Sequence, residues 1–154
     1  MSPELAVLFE RLGNTATFLG VAFDHVNATN VDGDNALHWA ARSGDLEAAR
    51  LLLDAGIEVN QPGDLGRTPL HEACSAGSKD MVLLLIEHGA DLYAQTEGDL
   101  PFTVARLHER HDICELLRPL MDEAQKADPH VYVRVRVRHL QSEIERLERL
   151  LARE

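Results

Sequence analysis

Residues 32–60 read `DGDNALHWAARSGDLEAARLLLDAGIEVN`, and residues 65–93 read `LGRTPLHEACSAGSKDMVLLLIEHGADLY`. At a shift of 33, Gly33 falls on Gly66, Leu37 on Leu70, His38 on His71, Ala40 on Ala73, Gly44 on Gly77, Leu51 on Leu84, Leu52 on Leu85 and Gly56 on Gly89. A third copy, `EGDLPFTVARLHERHDICELLRPL` at 97–120, follows at a shift of 32, with Gly98, Pro101, Phe102, Ala105, Leu116 and Leu117 in register. Self-similarity at such a period marks a stacked array, because one unit alone cannot bury its apolar face.

Thr68 offers a side-chain oxygen to the start of a helix, and Pro69 supplies a fixed φ with no wasted N–H at the first helical position. Gly77 and Gly89 stand where two helices must end in left-handed backbone. Ala40 and Ala73 are small where neighbouring helices approach, and the leucine pairs fill the layer between units. Period and the intact `TPLHEA` at 68–73 resemble the ankyrin repeat. The resemblance implies an all-α solenoid of stacked helix-turn-helix units joined by extended fingers. Repeat one departs from the signature with Asn35 and Ala36, and repeat three with Thr103 in the histidine slot and Glu109 where glycine ends the first helix. Upstream, residues 4–27 sit one period earlier, with Phe18 and Leu19 matching Leu51 and Leu52, and Val26-Asn27 matching Val59-Asn60. They lack the signature, as an N-terminal capping unit should. The expected organisation is a repeat domain at 1–127 (cap 1–29, repeats 30–62, 63–94 and 95–127) followed by a tail at 128–154.

The composition agrees. The 154 residues are 45% hydrophobic and 27% charged, with only 5% aromatic, and Leu and Ala dominate the apolar set, which favours packed helices over a β-sandwich. A formal net charge of -11 opposes phosphate backbones and anionic lipid, so neither nucleic acid nor a membrane surface is the expected partner; a protein with a basic surface is. The first residues, `MSPELAVLFERLGN`, lack a basic n-region. Cys74 and Cys114 each lie in an apolar helical pattern and read as buried free thiols, so a reducing, cytoplasmic setting is expected.

No catalytic, cofactor-binding or metal-binding residue is expected. By the resemblance, His38 and His71 tie adjacent loops by hydrogen bonds. His108, His111 and Cys114 are spaced by three, yet Cys114 falls on an inward position and no fourth ligand is supplied. `NATNVDGDN` at 27–35 has Asn30, Asp32 and Gly33 in calcium-loop register, but Ala28 and Trp39 would occupy two essential ligand positions.

In the ankyrin family partners are held by the finger tips and the exposed side of the first helices, the concave face. Mapped onto this chain, the resemblance implies Val31, Asp32, Asp34 and Arg42 in repeat one, Asp64, Leu65, Arg67 and Ser75 in repeat two, and Glu97, Asp99, Leu107 and His108 in repeat three. The tips are mostly acidic, and can be read either as a steering edge for a basic partner or as ordinary Asp-Gly turns. Trp39, where Glu72 and Val104 stand in the other repeats, reads either as a binding anchor or as a core contact. The implied function is noncatalytic protein binding by a cytoplasmic adaptor or scaffold; the alternative is a dedicated inhibitor, such as an immunity protein that blocks a toxic enzyme.

The tail contains `VYVRVRVRHLQSEIERLERLLARE` at 131–154. Alternating valines suggest a strand, but Val133, Val137, Leu140, Ile144, Leu147 and Leu151 are spaced 4, 3, 4, 3, 4, a heptad seam crossing both halves and favouring one helix. Asp128-Pro129 reads as its opening. The seam is suited to an antiparallel homodimer, a short coiled coil, because a parallel pair sets Glu143 against Glu148 whereas an antiparallel pair brings Arg134 to Glu148. The competing arrangement folds the helix back as a cap over repeat three.

Overall fold

The computed structural model describes residues 2–152, less the side chains of His139, Ser142 and Glu143. The Glu143 part of the pairing argument and the ends of the 1–29 and 128–154 segments therefore lie outside the described residues. Eight α-helices are formed among those described: α1 Pro3–Gly13, α2 Ala36–Ser43, α3 Leu46–Asp54, α4 Pro69–Ala76, α5 Lys79–Glu87, α6 Pro101–Leu107, α7 His111–Ala127 and α8 Val131–Leu151. No strand is formed among them. Helices α2, α4 and α6 stack in one row and α3, α5 and α7 in a second, so each repeat contributes one hairpin of helices to a continuous core.

The repeated residues carry that core. Ala40, Ala73 and Ala105 are fully buried, as are Leu37, Leu70, Leu52 and Leu85. A larger side chain at the alanine slots would force the first-helix row apart. Helices α2 and α4 end at Gly44 (φ 71) and Gly77 (φ 85), both left-handed. In repeat three the same slot is taken by Glu109, at φ 58, so the turn is kept although the glycine is lost.

At the N-terminal end α1 lays Leu5, Leu8, Phe9 and Leu12 against the stack, and Phe9 stacks on Phe23 at 4.5 Å between ring centroids. Asn27 Oδ1 accepts from Glu58 N at 2.6 Å, and one period later Asn60 Oδ1 accepts from Asp91 N at 2.8 Å. The asparagine match across units is thus a match of hydrogen bonds. The leucine match is not: Leu19 is 79% exposed and Phe18 fills the buried place. A 3₁₀ turn at Ala16–Phe18 replaces the second helix there and rotates Leu19 outward.

The tail is one helix, with no strand. Asp128 closes α7 and its side chain accepts from His130 N at 3.1 Å, so the helix opens at Val131, later than the Asp128-Pro129 reading. The alternating valines divide between two faces of α8. Val131 and Val135 are half-buried, whereas Val133 and Val137 are 55% and 47% exposed. Arg136 Nη1 donates to Gln95 Oε1 at 2.9 Å, joining α8 to repeat three. All six seam side chains stay exposed, from 41% at Leu140 to 70% at Leu151. The fold-back arrangement, with the seam buried on repeat three, is therefore not the one adopted.

Candidate protein-binding face

The fingers are locked by hydrogen bonds before any partner arrives. Asn30 Oδ1 accepts from Asp32 N at 3.0 Å and Asp34 N at 2.9 Å, so the 27–35 segment is a polar turn built on its own backbone. His38 Nδ1 accepts the Asn35 N–H at 3.1 Å and its Nε2 donates to the Arg67 carbonyl at 3.0 Å. In repeat two, His71 Nδ1 accepts the Thr68 N–H at 3.0 Å and Nε2 donates to the Asp99 carbonyl at 3.3 Å. Each imidazole therefore closes a capping box on its own helix and holds the next finger.

Both rings must be neutral to do this, because protonated Nδ1 would point an N–H at a backbone N–H. Burial lowers both histidines, His71 to about 4, and Asp34 opposes the shift at His38. Burial likewise pushes the Cys74 thiol up to about 12, which leaves it unreactive at neutral pH.

A charged ladder crosses from repeat one to repeat two. Arg42 Nη2 donates to Asp34 Oδ2 at 3.1 Å, Arg42 Nε to Glu72 Oε2 at 3.0 Å, and Arg67 Nε to Glu72 Oε1 at 2.7 Å. Burial works against the charge on Arg42, but its bonds to Glu72 and Asp34 outweigh this and raise its pKa. Asp34 is only 4% exposed, and its Oδ1 also accepts from Asp64 N at 3.1 Å. It is consequently not an open acid at a finger tip but the support for the next finger.

The remaining positions divide by exposure. Val31, Asp32, Asp64, Leu65 and Glu97 are exposed at the tips, while Asp99 is half-buried. Leu65 (φ 54) and Glu97 (φ 44) hold left-handed backbone, costly for side chains other than glycine. Thr96 is buried and its hydroxyl donates to the Leu65 carbonyl, joining two tips. Leu107, the last residue of α6, and His108, which caps it, are exposed, and Ser75 Oγ of α4 lies 3.2 Å from His108 Nε2. Trp39 is half-buried against the core with the Arg11 guanidinium 5.2 Å from its ring centroid, while Arg11 also pairs with Asp45 at 3.0 Å. Trp39 thus joins the N-terminal unit to repeat one. Among the suggested metal donors, Cys114 is buried and His108 and His111 face outward.

Sequence reasoning missed Glu72, the centre of the ladder. Its slot holds Trp39 and Val104 in the other repeats, so periodicity gave it no mark. The available signal was a carboxylate on a first helix with one arginine five residues before it and another in the repeat before it.

None of the helices described is long and apolar enough to cross a membrane. The family model for ankyrin repeats (3 copies) matches residues 5–96 and 60–130. Protein phosphatase 1 regulatory subunit 27 of Mus musculus is 40% identical over 93 residues, covering 60% of this chain and 58% of that protein. Its Homo sapiens counterpart is 48% identical over 67 residues, covering 43% and 44% respectively. Neurogenic locus notch homolog protein 1 of Xenopus tropicalis is 38% identical over 90 residues, which are 57% of this chain and 4% of that protein. The chain spans about half the length of the regulatory subunits it matches. The period, the paired helices, the histidine ties and this match agree: the chain belongs to the ankyrin-repeat family, and its stack is a protein-interaction module.

Proposed function

We propose that this chain is a noncatalytic adaptor or scaffold in the cytoplasm, holding a protein partner with a basic, partly apolar surface against its finger tips and first-helix row. The observation that carries the reading is the setting of Val31 and Leu65. They are 101% and 60% exposed, and stand among Asp32, Asp64 and Glu97, which enter no ion pair among the described residues. Apolar side chains held outward on a rigid frame supply contact area, and the surrounding acids steer a basic partner. Two relatives named as protein phosphatase 1 regulatory subunits support binding as the mode of action.

The test is affinity capture from the native host with the wild-type chain and with Asp32→Lys/Asp64→Lys/Glu97→Lys, followed by mass spectrometry. The adaptor reading expects several proteins lost together on charge reversal. A single tight, toxin-like protein would favour the inhibitor reading instead. Capture unaffected by the reversal would remove this face from the function.

A further inference from the structure

We infer that the exposed seam of α8 is the docking surface for a second copy of this chain, paired antiparallel. The seam residues repeat at heptad spacing over a helix about 31 Å long at 1.5 Å per residue, yet none is covered by the chain's own repeats. On the opposite side of α8 Val131 and Val135 are half-buried, and on the flank of the seam Arg136 is bonded to Gln95 of repeat three. The helix is therefore held with its apolar stripe turned away from the stack.

Charge selects the occupant and its direction. Residues 131–140 contain Arg134, Arg136 and Arg138 and no acid, whereas residues 141–151 contain three glutamates and two arginines. A parallel second copy would lay one arginine-rich half on the other. An antiparallel copy lays it on the glutamate-bearing half, with Val133 on Leu151, Val137 on Leu147, Leu140 on Ile144, and Arg134 beside Glu148. Arg134 pairs with Asp128 within its own chain, and a guanidinium with five donors can serve both carboxylates. Leu150, 51% exposed beside the seam, widens the apolar stripe at the end that meets Val133. Pairing would put two repeat stacks on one particle, so that a partner with two sites, or a surface of repeated sites, would be held by both. It does not depend on what the repeats bind.

The full chain should sediment as a dimer at high micromolar concentration and dissociate on dilution. Leu147→Glu should leave only monomer with unchanged repeat-domain melting. A spin label at Ala152→Cys, with both native thiols buried, reads the direction: antiparallel pairing predicts labels about 30 Å apart, from twice ten residues at 1.5 Å. A monomer at every concentration, or a dimer indifferent to Leu147→Glu, overturns the proposal. A separation of about 10 Å, the spacing of adjacent helix axes, overturns the antiparallel direction.

Discussion

His71 Nε2 donates to the Asp99 carbonyl 28 positions downstream while Nδ1 accepts the Thr68 N–H, so one neutral ring joins a helix start to the next finger. Its pKa lies at about 4, against 6.5 in an unfolded chain, because burial disfavours the imidazolium. The unfolded chain thus binds the extra proton first. Stability from this residue is fully present above about pH 6.5, falls as pH drops through the window, and is lost below about pH 4. The loss is about 3 kcal/mol from His71, and His38, lowered for the same reason, adds to it. Denaturant melts across this range should show the slope, and His71→Gln should reduce it while lowering stability at neutral pH.

Gly63 lies against the first finger. A Cβ there would sit 2.0 Å from Asp34 Oδ1 and 2.8 Å from His38 Nε2, both buried. Gly63→Ala must push Asp34 off Arg42 and Asp64, and is expected to destabilise by about 1–3 kcal/mol, the usual cost of overpacking. Thermal unfolding of the variant measures this.

Glu109 holds a left-handed turn that Gly44 and Gly77 hold in the other repeats. Glu109→Gly should therefore stabilise the chain, by about 1 kcal/mol from relief of the side-chain clash. The midpoint of chemical denaturation should rise with an unchanged slope.

Glu72 accepts from both Arg42 and Arg67 at 10% side-chain exposure. Glu72→Gln should cost about 1–2 kcal/mol, since the arginines keep partial access to water and their pairing is screened accordingly. A double-mutant cycle with Arg42→Met should return a coupling of the same sign.

The repeat layer was legible because its cause is periodic. The alanine, leucine and histidine slots recur at one spacing, and each buries or bonds the same way wherever it stands. Glu109 in the glycine slot left two outcomes open, a strained turn or a different helix end, and the left-handed turn is the one formed. The tail helix was legible for a similar reason: the period of Val133 through Leu151 overrode the local alternation of valine and arginine. What stayed hidden was set by contacts between units. Asp34 looked like a tip acid because its neighbours are turn formers, but the second finger covers it and Arg42 reaches it from α2. Leu19 followed the register on paper, yet the 3₁₀ turn gave its place to Phe18. The exposure of the α8 seam depends on how Arg136 meets Gln95 of repeat three, about 40 residues away in sequence.

In the proposed function the finger tips and first-helix row bind the partner. Hydrogen–deuterium exchange on the complex with a captured protein tests it most directly. Binding at this face should add protection at residues 31–34, 64–67 and 96–99 and on α2, α4 and α6, with α3 and α5 unchanged. Protection confined to α3, α5 and α7, with the tips exchanging as in the free protein, would contradict it.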